Sequence, residues 1–303
     1  MLYVATGHTI NLQHTTLDID TSDPNVNNGF HFAGGRVILP ENAENFTFDY
    51  AVTLASETTP ISGVSALEVK DKGLLTVTAA PTLDCSLVID AGGKVSAEGA
   101  SAPTLLGDFT NNGTFDQAEK SVLIFAGDEP STISGSTTFA GLQCQTPGKK
   151  LVFKAGDAFA FGYGLTLNGS EAQPIVLAST TKGTAYGFDV DAGAATFLQF
   201  LTVADSDASA GAKLTAYMSA GDNCTNWEFD NSGPLNAWFG TSSSDFADPA
   251  NWSLGRAPVD GENLIVNSVN PMVISAPFKP KNVELKAGAN VTVNAQVDVS
   301  GDV

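Results

Sequence analysis

The sequence predicts an all-β fold: a right-handed parallel β-helix (solenoid), with the start of a second, similar module at the C-terminal end. Three observations predict it. Apolar residues alternate strictly in short runs, a short and regular repeat keeps glycine in phase, and helical periodicity is nearly absent.

The alternating runs come first. Leu67-x-Val69, Leu75-x-Val77, Leu87-x-Ile89, Leu151-x-Phe153, Leu165-x-Leu167 and Ile175-x-Leu177 each place two apolar side chains on one face. Each run is bounded by Gly, Asp, Asn or Ser, which is the signature of short strands separated by turns. Nowhere do apolar residues recur at i, i+3, i+4 and i+7 over a useful length.

The repeat is more specific. Val69, Ile89 and Phe109 are evenly spaced, and the same interval separates Gly73, Gly93 and Gly113, and Leu75, Val95 and Phe115. One circuit of chain cannot cover its own inward side chains, so circuits stack and share a core. A glycine at fixed phase is expected to supply the φ > 0 corner geometry that a Cβ opposes. Antiparallel sandwiches also show short strands and frequent turns, but they do not hold three positions in register over consecutive units.

A longer repeat lies over this one. Leu67-Glu68-Val69-Lys70, Gly73 and Leu75-Thr76-Val77 reappear as Val283-Glu284-Leu285-Lys286, Gly288 and Val291-Thr292-Val293. Gly35-Arg36, Pro40 and Glu44-Asn45-Phe46 match Gly255-Arg256, Pro258 and Glu262-Asn263-Leu264, and Asp20-x-x-Asp23-Pro24 resembles Asp245-x-x-Asp248-Pro249. Arg36 and Arg256, the two arginines of the chain, fall at equivalent places. This predicts a β-solenoid module over 1-232, a turn-rich boundary at Asn231-Ser232-Gly233-Pro234, and the beginning of a truncated copy over 236-303.

Composition restricts function. Of 303 residues, 14 are basic and 33 acidic, a net charge of −19. That charge repels nucleic acid and anionic membrane surfaces. No apolar run is long enough to span a bilayer, so no membrane-spanning helix is expected. The segment Met1-Leu2-Tyr3-Val4-Ala5-Thr6-Gly7-His8 has neither a basic nor an apolar region of a signal peptide, which still fits a processed or excised piece of an exported protein. The three cysteines, Cys85, Cys144 and Cys224, have no metal-binding spacing, and Cys144, alternating with Leu142, reads as a buried thiol.

With these residues in hand, the chain resembles the β-helical repeat regions of large secreted bacterial surface proteins, of the adhesin, filamentous-haemagglutinin and autotransporter-passenger type. The resemblance is carried by Asn111-Asn112-Gly113-Thr114-Phe115, Val122-Leu123-Ile124-Phe125-Ala126-Gly127, Thr132-Ile133-Ser134-Gly135 and Thr138-Phe139-Ala140-Gly141-Leu142. Leu201-Thr202-Val203-Ala204-Asp205-Ser206-Asp207-Ala208 with Asn226-Trp227-Glu228-Phe229 resembles a module end. Trp238, Asp248-Pro249-Ala250-Asn251-Trp252-Ser253-Leu254-Gly255 and Pro258 resemble a module opening, where the first module has Asn25-Val26-Asn27-Asn28 instead. The resemblance implies a non-enzymatic structural module at the bacterial cell surface: an adhesin stalk, spacer or fibre subunit, associating with itself or with neighbouring modules.

Candidate sites are few. Asp18, Asp20 and Asp23 with Asn25, Asp205 with Asp207, and Asp189 with Asp191 offer oxygen ligands for Ca²⁺; the competing reading is a solvated acidic edge. His8, His14 and His31 are candidate metal ligands or ordinary coil residues. Trp227, Trp238, Phe239 and Trp252 offer a sugar-stacking platform or, on the favoured reading, a plug over the open end of a solenoid. Outward carboxylates on stacked coils leave a polysaccharide-active enzyme or a carbohydrate-binding β-helix as the alternative function. The sequons at Asn45, Asn112, Asn168, Asn251 and Asn290 read more simply as corner asparagines. No catalytic residue and no organic cofactor is expected, and no nucleophile elbow or phosphate cradle occurs.

Overall fold

Strict alternation forces each run into a strand, and the strands pair in parallel. The computed structural model describes residues 66–266, 270–286 and 288–301. Ahead of Ala66 it describes the backbone of the strands Leu2–Ala5, Thr9–Asn11, Gly29–Ala33, Arg36–Ile38, Asn45–Phe48 and Ala51–Leu54. Among the described residues the only helical turn is a 3₁₀ turn at Pro249–Asn251.

The chain forms two compact units. The first comprises Met1–Leu214 with Ala220–Glu228, and the second Thr215–Ser219 with Phe229–Val303. In the first unit the circuits wind through three main sheets, and those between Leu74 and Gln117 visit all three in turn. One sheet runs Leu2–Ala5, Gly29–Ala33, Ala51–Leu54, Leu74–Val77, Lys94–Ala97 and Thr114–Gln117 in spatial order. A second runs from Asn45–Phe48 through Ala66–Val69, Ser86–Ile89 and Phe109–Asn111 onward to Ala220–Asp222. The third begins at Thr82–Leu83 and continues through Thr104–Leu105, Leu123–Phe125, Thr137–Cys144 and Ala158–Asn168. Successive strands in a sheet lie one circuit apart in the chain, which is the arrangement of a parallel β-solenoid and not of facing antiparallel layers.

The six alternating pairs named above are buried at both apolar positions, each 3% exposed or less, while the residue between them is half-buried. The even spacing read from the sequence holds in the first sheet, where Leu75 pairs Val95 and Val95 pairs Phe115. It breaks in the second. Val69 pairs Ile89, but Ile89 pairs Asn111, and Phe109 instead pairs Leu87. The cause lies in the corners. Val77 to Leu83 spans six positions and the stacked Ala97 to Leu105 spans eight, so this corner is two residues longer. The intervening corner keeps its length, and the one after it is two shorter, because Ile89–Val95 stacks on Asn111–Phe115. The two changes cancel, and Phe109 falls into apparent phase with Ile89 without stacking on it.

The first sheet ends at Thr114–Gln117, and the chain compensates by lengthening its strands. Thr137–Cys144 and Ala158–Asn168 each run across two faces. Inside, aromatic rings form a column. Phe109 meets Phe139 at 5.5 Å between centroids, Phe139 stacks on Phe161 at 5.6 Å, Phe161 meets Phe188 at 4.7 Å, and Phe188 stacks on Trp227 at 5.8 Å. Each contact adds about 1 kcal/mol beyond the area it buries.

The second unit holds two parallel sheets. Leu235–Trp238, Asn263–Val266 and Asn282–Leu285 form one, and Met272–Ile274 with Val291–Val293 form the other. Its two sheets keep one common interval, since the step from Leu264 to its partner Val283 equals that from Met272 to Val291. The core is Trp238, Phe246, Trp252, Leu264, Val266, Met272, Ile274 and Phe278. Glu284 and Lys286 form an ion pair on a strand of this unit, as Glu68 and Lys70 do at 2.8 Å in the first.

Candidate functional site

Exposure and side-chain partners decide which predicted residues are open to a ligand. Asp18, Asp20, Asp23, Asn25, His8 and His14 lie outside the described residues, and His31 is described only by its place in the strand Gly29–Ala33. Asp205 turns a corner at φ +57, and its carboxylate accepts from the Asn223 amide at 2.7 Å and the Gly183 N–H at 3.0 Å. These bonds hold its carboxyl below the usual range. Asp207 accepts from the N–H of Ser209 at 3.0 Å, two residues on. The two carboxylates thus serve different turns. Asp189 accepts from the Ala210 N–H at 3.0 Å; burial, and then the charge of Asp207, push its carboxyl up. Among the described residues no group of three His, Cys, Asp or Glu side chains converges on a point.

The tryptophans pack against other rings. Trp227 ends the aromatic column and donates from Nε1 to Ser206 Oγ at 3.2 Å. Trp238 is 0% and Trp252 3% exposed, their rings 5.1 Å apart in the second core. Their Nε1 groups donate to the carbonyls of Asn270 and Phe246. Neither offers an open face to a sugar. Asn251 is fully buried, so its sequon is closed; its side chain binds the N–H groups of Ser242 and Ser243, Ser243 Oγ and the Asp245 carbonyl. Phe239 is half-buried, with its main chain bonded to Asn251 and Asn270. The cysteines are free thiols; burial pushes Cys85 up to about 12 and raises Cys144 and Cys224.

Two features escaped the sequence reading. Lys149 is 1% exposed, and its Nζ donates to the carbonyls of Ala126 and Glu129, both at 2.6 Å. Burial lowers the pKa of this ammonium. In Gly148-Lys149-Lys150 the two lysines look alike, and only the fold distinguishes the buried one.

The second is a cleft of about 400 Å³ where the first sheet ends. Its lining includes Phe115 and Phe139 from the aromatic interior, together with Asp116, Gln117, Glu119, Thr138 and Tyr163. Phe139 pairs Phe161 and Gly141 pairs Gly164, so Gly162 and Tyr163 stand opposite Ala140 alone. That extra residue is a β-bulge, a feature that re-aims side chains. Tyr163 is 41% exposed beside the cleft as a result. The sequence signal was Gly162-Tyr163-Gly164, an aromatic between two glycines inside a strand.

No protein-family model, curated protein or solved structure matches this chain.

Proposed function

We propose that this chain is a non-enzymatic structural module of an extracellular bacterial surface protein, a right-handed β-solenoid acting as an adhesin stalk, spacer or fibre subunit. The observation that carries the reading is the direct stacking of inward side chains from coil to coil, down to a column of aromatic rings. Right-handedness is supported by the general rule for crossovers between parallel strands, nearly all of which turn that way. Each coil adds about 4.8 Å of length, so a stack supplies reach. The acidic coat favours solubility.

Association with itself or with a neighbouring module belongs to the same proposal and rests on the motif resemblance.

The cell-surface location rests on the motif resemblance. Protease treatment of intact source cells is expected to release peptides from the exposed corners, Lys182 among them. Release only after lysis overturns the location. A polysaccharide-active or carbohydrate-binding β-helix remains the second reading, favoured by the exposed Tyr163 beside Asp116 and Glu119; turnover or tight retention of a neutral polysaccharide supports it over the stalk.

A further inference from the structure

We infer that the cleft beneath Tyr163 binds a cationic side chain, arginine or lysine, presented by a partner polypeptide. Its floor is the half-buried ring of Phe115, which packs against the fully buried Phe139 at 5.7 Å between centroids. Its rim carries two exposed carboxylates, Asp116 and Glu119, and no basic residue lines it. Lys94 lies 3.2 Å from Asp116 but is outside the lining, and Glu119 forms no ion pair among the described residues. The bulge at Gly162–Tyr163 turns an aromatic ring out beside these charges.

Charge complementarity selects the occupant. An anion is repelled by the rim and by the net charge of −19. A neutral sugar stacks on the ring and donates hydroxyls to the carboxylates, but it leaves their charge unpaired. A guanidinium or ammonium gains both, because the aromatic face attracts the cation and the carboxylate pairs it, while the aliphatic stem covers the phenylalanine floor. This goes beyond the stalk reading, since a spacer needs no such cleft. It gives the wall of the solenoid a docking point for a basic segment of another protein.

The test is an NMR titration of the full chain with acetyl-Gly-Arg-Gly-amide, alongside the citrulline isostere, free arginine and maltohexaose. The peptide is expected to bind, and citrulline to weaken it at least tenfold. Tyr163→Ala and Glu119→Gln, both at exposed positions, are each expected to weaken binding three- to tenfold. Glu171→Gln, an exposed acid elsewhere in the unit, is expected to change affinity less than 1.5-fold. Three results overturn the proposal: equal binding of citrulline, equal loss from Glu171→Gln and Glu119→Gln, or tighter binding of maltohexaose with the same sensitivity to Tyr163→Ala. Tighter binding of free arginine than of the peptide overturns the polypeptide partner. None of these results bears on coil stacking.

Discussion

Gln117 holds Ala140 in place of a strand. The Gln117 side-chain oxygen accepts the Ala140 N–H at 3.0 Å, and its amide donates to the adjacent Gly141 carbonyl at 3.3 Å. Gln117 stands at a position occupied by Ala97 and Val77 in the coils below. Where main-chain pairing stops, one side-chain amide supplies both a donor and an acceptor to the next strand.

Removing that amide exposes the role. Gln117→Ala is expected to cost about 2 kcal/mol, the usual penalty for leaving half-buried main-chain groups unpaired. Urea unfolding measures it. An unchanged unfolding midpoint means that water replaces the amide without loss.

Asn251 is expected to matter more. Its side chain makes four bonds from a fully buried position, so Asn251→Ala is predicted to destabilise the second unit by about 3 kcal/mol. Asn251→Asp should not rescue it, because a carboxylate cannot donate to Ser243 Oγ and the Asp245 carbonyl together. Hydrogen exchange of the Leu235–Trp238 and Asn263–Val266 amides reads the loss locally.

Two glycines with similar dihedral angles are predicted to respond differently. Gly135 (φ +83) and Gly156 (φ +79) both occupy the left-handed region. A Cβ on Gly135 falls 1.8 Å from the Asn111 carbonyl oxygen, whereas one on Gly156 meets nothing within 4 Å. Gly156→Ala should cost about 1 kcal/mol from backbone strain alone. Gly135→Ala must also displace the neighbouring coil and should unfold at markedly lower urea. Equal midpoints for the two variants contradict the close approach.

Lys149 is predicted to give stability an alkaline slope. Its folded pKa lies below the 10.5 of the free side chain, so between the two values the unfolded chain binds more protons, and stability rises with pH. The contribution is complete above 10.5 and is lost as pH falls through the lowered folded value. Lys149→Ala should be less stable at pH 7 by about 3 kcal/mol, from two carbonyls left unpaired and a cavity. The gap between wild type and variant should widen from pH 8 to 10.5. A flat gap across that range disproves the assignment.

Much of this fold was legible one strand at a time. Leu67, Val69, Leu75 and Val77 announce their inward face locally, because alternation depends only on neighbours in sequence. The recurring glycines pointed to stacked circuits, but not through the φ > 0 expected of them: Lys72 and Gly92 take the left-handed region instead of Gly73, Gly93 and Gly113. Close approach is the reason, since a Cβ on Gly113 would meet the carbonyls of Asp90 and Gly93 at 2.4 Å. The candidate cleft was not legible. Phe115 and Glu119 belong to one coil and Tyr163 to a later one, and nothing in the local pattern says where one sheet ends or that Tyr163 sits on a bulge.

The sequence by itself therefore determined that this chain is all-β, stacked in short repeating circuits, and strongly acidic. Only the tertiary structure decided that Phe109 rests on Leu87 rather than on Ile89. It also decided that Trp238 and Trp252 fill a core, and that Lys149 is buried while Lys150 is exposed. The physical reason is that inward-facing periodicity is written within each strand. Register is set instead by hydrogen bonds between residues a full circuit apart, and one corner can gain two residues and a later one lose two without disturbing the alternation of any strand.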